Sequence, residues 1–169
     1  MVSLAPRQWS RCTTLSPAAG CIVIVYNPTQ NKQTQFLRAR QPICSIAVSP
    51  DGCLVAAGQR GKTAPVTVWN AVTGAVVWEL LHHSVGIAAL AFSPDGRCLV
   101  SCGFRVDKAL SVWEVATGRR VGSGKLSQKV TSLTFAESGG QFVTAGAWRL
   151  DGCLERGAKQ TGRMIAGRR

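Results

Sequence analysis

The sequence predicts an all-β chain built from repeated four-stranded antiparallel sheets. Three observations carry that prediction. Ser49-Pro50-Asp51-Gly52 recurs as Ser93-Pro94-Asp95-Gly96, Val68-Trp69 as Val112-Trp113, and Thr73-Gly74 as Thr117-Gly118, all at one offset of 44 residues. Between these landmarks lie short apolar or alternating runs separated by turn residues, with no helical period. Eighteen glycines and 46% hydrophobic residues stand against only 17% charged residues, which favours strands and tight turns over helices or disorder.

The second repeat shows the elements in order. Ile87 to Phe92 is an apolar run that reads as a strand buried on both faces. Ser93-Pro94-Asp95-Gly96 is a turn: proline fixes φ, aspartate accepts backbone bonds, and glycine supplies φ > 0. Cys98 to Cys102 is a second strand and Ala109 to Glu114 a third. Val115 to Gly118 turns the chain, and Arg119 to Gly122 begins a fourth. A further copy starts at Val130, because Val130 to Phe135 matches Ile87 to Phe92 at an offset of 43. Upstream, Val23 to Asn27 matches Val66 to Asn70, also at 43. Residues 18–147 are thus the repeat region, with landmarks at 43–86, 87–129 and 130–147, and residues 1–17 are an incomplete or irregular N-terminal segment.

A four-stranded unit of about 40–45 residues resembles the WD40 β-propeller blade. In that family a Gly-His precedes the first strand, an Asp sits in the turn before the third, and Trp-Asp closes the third. Here His83 stands four residues before Ile87, Asp107 six before Trp113, and Ser101 lies in the second strand. His82 replaces the family glycine and Glu114 the aspartate. The first repeat keeps Trp69 alone, followed by Asn70, with Ala39 and Thr63 at the His and Asp positions. The resemblance implies a hydrogen-bonded tetrad of His83, Ser101, Asp107 and Trp113 that fixes strand register. In it Asp107 orients His83, His83 meets the Ser101 hydroxyl, and that hydroxyl meets the indole N–H. The same three polar types could compose a hydrolase triad. The repeat context, and the lack of a Gly-x-Ser-x-Gly elbow, favour a structural lock.

A second resemblance narrows the group. Ala18-Ala19-Gly20-Cys21, the strand Ile22 to Tyr26, and Asn27-Pro28 followed by Asn31-Lys32-Gln33 are similar to the opening blade of the mitogen-activated protein kinase-binding protein group of WD-repeat scaffolds. That group includes JNK scaffolds of centrosomes and spindle poles. The strand is also similar to one in a ciliary WD-repeat protein. Lys129-Val130-Thr131 and Phe142 to Gly146 agree with the scaffold group. The resemblance implies a non-catalytic protein–protein interaction scaffold, cytoplasmic, at the centrosome, spindle pole or cytoskeleton, with kinase-pathway or spindle-pole proteins as partners. The kinase-docking segments of those scaffolds lie outside the propeller and transfer to no residue here.

Other patterns carry less. Ala56 to Gly61-Lys62-Thr63 fits a relaxed phosphate-loop pattern, but a strand, Val66 to Trp69, follows where a helix is required. The seven cysteines contain no Cys-x-x-Cys. Cys98 and Cys102 flank Val100 with no ligand spacing, so neither a metal nor a cofactor is expected. No apolar run approaches the roughly 18–20 residues of a membrane span, and the first twenty residues lack a secretory apolar core. The cysteines therefore read as free thiols of a reducing compartment. The net charge of +12, from 20 Lys+Arg and 8 Asp+Glu, motivates one alternative, an RNA-associated or ribosome-biogenesis propeller. Its clusters, Arg38 with Arg40, Arg60 with Lys62, and Arg119 with Arg120, sit in turns and strand ends without aromatic interleaving. Solvated loop charge facing an acidic partner is the better reading.

After Ala147 the repeat breaks. Arg156 stands where the next tryptophan is due, and residues 149–169 hold six basic and two acidic residues. The sequence therefore predicts an incomplete propeller of about three blades, with a disordered basic tail over 148–169 that reads either as a genuine basic tail or as the artefact of a truncated gene model, the latter favoured because the break falls in mid-blade. A closed propeller takes about 4–8 blades.

Overall fold

The computed structural model describes residues 20–27, 30–126, 129–150 and 153–163, with the backbone alone described for 147–150 and 153–163. The expectation of an incomplete or irregular segment over residues 1–17 falls outside these residues. The described chain is all-β. A two-stranded sheet pairs β1 (Ile22–Asn27) with β2 (Lys32–Arg38). Two four-stranded sheets follow, one of β3 (Ile43–Val48), β4 (Leu54–Gln59), β5 (Pro65–Asn70) and β6 (Val76–Leu81), and one of β7 (Ile87–Phe92), β8 (Cys98–Gly103), β9 (Ala109–Glu114) and β10 (Arg120–Lys125). A three-stranded sheet joins β11 (Lys129–Phe135), β12 (Gln141–Leu150) and β13 (Cys153–Arg163). Every pairing is antiparallel.

The turns form as their residues dictate. Gly52 and Gly96 take φ of 72° and 70°. The Ser49 and Ser93 hydroxyls each bond the following aspartate at 2.5 Å and accept the amides of Leu54 and Cys98 at 2.9 Å. In the other hairpin the Asn70 side chain caps the amides of Val72 and Thr73 at 2.9 and 3.0 Å. Glu114 holds the Thr117 hydroxyl at 2.6 Å. This explains why Asn and Glu can replace the family aspartate after the tryptophan: each still offers an acceptor to its turn.

The core lies between the sheets. Along β4, Val55 and Ala57 face β1 and β2 with Trp69, while Ala56 faces the next sheet with Val66, Val68 and Ile87. Along β8, Leu99 faces back to that same cluster, and Val100 and Cys102 face forward to Val130 and Phe142. Alternation of side chains along a strand thus gives each sheet two buried faces. β3 packs on β7 and β7 on β11, so the first strands of successive sheets meet on one side. The fourth strands lie outside, and β10 is mostly exposed.

Beyond the repeat region the described backbone continues as strand. β12 runs to Leu150, and Cys153–Arg163 pairs with it from Leu150↔Cys153 to Gln141↔Arg163. Main-chain N–H and C=O groups carry strand pairing, so an open strand edge can template a segment that lacks apolar alternation. The relaxed phosphate-loop segment is the turn between β4 and β5, with Lys62 exposed.

Candidate functional site

The polar residues singled out from sequence meet on the face of the β7–β10 sheet that looks back toward β3–β6. β8 supplies Ser101, fully buried. β9 supplies Trp113, and the linker between β6 and β7 supplies His83, 2% exposed. His83 Nε2 lies 2.9 Å from Ser101 Oγ, and the Trp113 indole N–H donates to the same oxygen at 2.9 Å. One hydroxyl therefore joins a linker to two strands. Burial holds the His83 imidazole down to about 4, helped by His82 and opposed by Asp107. The ring is neutral at pH 7.

Asp107 is placed differently from expectation. It does not bond His83, whose Nδ1 is buried without a hydrogen-bond partner. Its carboxylate instead accepts the Ser84 hydroxyl and the amides of Ser84, Val85 and Gly86, the amides at 3.3, 3.1 and 3.4 Å. Burial pushes the Asp107 carboxyl up, but the Ser84 hydroxyl and these amides outweigh it and leave it below its ordinary range. A short carboxylate in the turn before β9 meets the linker amides before it can reach the ring. Ser84, which no pattern in the sequence singles out, is thus a partner of Asp107.

The first repeat solves the same problem with other residues. Ala39 and Ala57 stand where His83 and Ser101 do. Gln59, 1% exposed, occupies the position of Gly103 and donates to Thr67 Oγ1 at 2.7 Å, while its carbonyl accepts the Gln41 amide at 2.8 Å. The exchange conserves volume. A Cβ on Gly103 would come within 2.7 Å of His83 Nδ1, so a histidine in the linker requires a glycine there. An alanine in the linker leaves room for glutamine. The signal was available in sequence as a compensating pair at the 44-residue offset, Ala39 with Gln59 against His83 with Gly103.

Successive sheets are also strapped across the outer strands. Trp78 on β6 donates its indole N–H to Val115 O at 2.9 Å and lies against Gly118. Gln35 on β2 donates to Val72 O at 2.8 Å and lies against Gly74. The same strap recurs one repeat apart with different chemistry. A very small apolar cleft lies in the seam beneath Trp78, lined by Val68, Leu80, Phe92, Leu99 and Trp113 among others. No group of three or more metal-ligating side chains gathers among the described residues. Burial pushes the Cys102 thiol up to about 12.

Comparison with known proteins agrees with this geometry. The family model described as WD domain, G-beta repeat, matches residues 31–65 and 74–114. The chain is 35% identical over 168 residues to centriole proteome protein 16 of Chlamydomonas reinhardtii, covering 78% of this chain and 8% of that protein. It is 38% identical over 140 residues to mitogen-activated protein kinase-binding protein 1 of Mus musculus, covering 79% of this chain and 9% of that protein. It therefore spans less than a tenth of these relatives' length. Among solved structures, the WD40 repeats of RRP9 superpose with a TM-score of 0.64 at 24% identity, over 75% of this chain and 39% of that one. Repeat spacing, strand order, hairpin chemistry and these similarities agree: the chain belongs to the WD40-repeat proteins.

Proposed function

We propose that the chain is a segment of a non-catalytic protein-interaction scaffold, acting at the centrosome or cytoskeleton with kinase-pathway or spindle-pole proteins as partners. The observation that carries this reading is where the polar chemistry lies. The His83–Ser101–Trp113 chain is buried, and its hydroxyl is committed to an indole and an imidazole. A group so held positions strands and offers no path to a substrate. Asp107 belongs to the same lock through the linker amides. Loops held on such a rigid stack are left to recognise partners. The relatives named for centrioles and for kinase binding support the location and the partner class.

The net charge of +12 favours one second reading, an RNA-associated propeller. Capture from a centrosome-enriched extract by the immobilised chain separates the two. Protein capture that survives nuclease and about 0.3 M salt is expected for the scaffold; capture lost on nuclease treatment or modest salt sinks it in favour of nucleic acid.

A further inference from the structure

Charge is sorted between the two ends of the sheet stack. One end carries the Ser-Pro-Asp-Gly hairpins and the Thr-Gly turns. The opposite end carries the linkers between sheets and the turns before the third strands, over 39–42, 60–64, 82–86 and 104–108. In these four linker-end segments stand five cations, Arg40, Arg60, Lys62, Arg105 and Lys108, and one carboxylate, Asp107. That carboxylate is consumed by the linker hydroxyl and amides. Only Arg40 among the five finds an ion pair, with Glu79 at 3.6 Å. The hairpin end is nearly balanced, since Asp51, Asp95 and Glu137 offset Arg97 and Arg119 in its turns.

The linker end is also continuous between sheets. Arg60 bridges to Gly86, and the Phe104 amide bonds Gly86 O at 2.9 Å. The Arg60 guanidinium sits 6.0 Å from the Phe104 ring centroid, and the ring packs onto Gly86 so closely that a Cβ there would lie 2.5 Å from it. The two turns are thus joined through Gly86, and the four cations they carry, Arg60, Lys62, Arg105 and Lys108, are all exposed. Two apolar side chains stand among them, Val106 at 76% and Val85 at 36% exposure.

We infer that the linker end docks an acidic polypeptide segment, one with carboxylates spaced to meet Arg60, Lys62, Arg105 and Lys108 and an aliphatic side chain to cover Val106. This rests on the scaffold reading and gives it a surface and a ligand chemistry. Charge complementarity selects an acidic occupant. The state of Phe104 selects polypeptide over single-stranded nucleic acid. Bases bind by stacking on a free aromatic face, and here the ring is already engaged, its edge against Gly86 and its centroid 6.0 Å from the Arg60 guanidinium. Val106 offers contact to an aliphatic group instead.

The test uses the whole chain and three probes: a short labelled peptide of glutamates interrupted by leucines, its glutamine counterpart, and a single-stranded RNA oligomer. The acidic peptide is expected to bind and the glutamine peptide not. Arg60→Glu with Arg105→Glu should weaken acidic-peptide binding by at least about tenfold. Arg97→Glu with Arg119→Glu, an equal charge change at the hairpin end, should weaken it less than about twofold. Because Arg60 also holds Phe104, Lys62→Glu with Lys108→Glu serves as a second pair that disturbs no packed ring, with the same loss expected. Equal losses from both ends, absence of peptide binding, or RNA binding more tightly than peptide would each overturn the proposal. Nuclease-resistant capture by the hairpin end would then still leave the scaffold reading standing.

Discussion

Ser101 carries more than its size suggests, because two buried donors or acceptors depend on one oxygen. The pH dependence of stability reports on this lock. The imidazole of His83 has its folded value held at about 4, below the ordinary 6.5 of the unfolded chain. Its contribution is complete above pH 6.5 and is lost as pH falls toward 4, since the unfolded chain binds the proton first. The loss amounts to about 3 kcal/mol at most. His82 shifts in the same direction but is exposed, and the depressed carboxylates Asp51, Asp95 and Asp107 titrate below this window. Urea unfolding of the chain at pH 7 and pH 4.5 should show the drop, and His83→Gln should abolish most of it. An unchanged slope in that variant would mean the ring is not the buried titrating group. Of this site, His83, Ser101 and Trp113 were legible in sequence through the resemblance to the WD40 blade. The partner of Asp107 was not, because a side chain's reach across a turn depends on where the linker lies.

The hairpins were legible down to their residues, since Pro, Asp and Gly act within four positions of the chain. The straps between sheets were not. Trp78 and Gln35 share a structural position but no chemistry, and each finds a carbonyl 37 residues away. Gly118 shows how turn and strap combine. Its φ of 67° excludes most side chains, and a Cβ would lie 2.6 Å from the Trp78 ring. Gly96 has nearly the same φ, 70°, but its nearest atom is Pro50 Cδ at 3.9 Å. Gly96→Ala should therefore cost only the backbone penalty, about 1–2 kcal/mol. Gly118→Ala should cost about 1–3 kcal/mol more through overpacking. Equal losses in thermal or urea unfolding would show that Trp78 does not clamp the neighbouring turn.

At the scale of the molecule, stability is shared between neighbours, as in any stack of repeats. Every core cluster joins two sheets and none lies within one. Protection should follow that pattern. Amide exchange is expected to be slowest in β4, β5, β8 and β9, buried on both faces, and fastest in β10. Mass-spectrometric exchange that found β10 as protected as β8 would contradict a core confined to the seams.

By itself the sequence determined the repeat, the strand count of each unit, the turns and the identity of the buried tryptophans, because these follow from local spacing and from side-chain alternation. Tertiary structure decided which polar groups meet. It gave Asp107 to the linker amides instead of to His83, replaced the lock of the second repeat by Gln59 and Thr67 in the first, paired Cys153–Arg163 with β12, and joined the turns that carry Arg60, Lys62, Arg105 and Lys108 at the linker end. Each of these depends on distances between segments far apart in the chain, and a periodic pattern fixes such distances only after the sheets have packed.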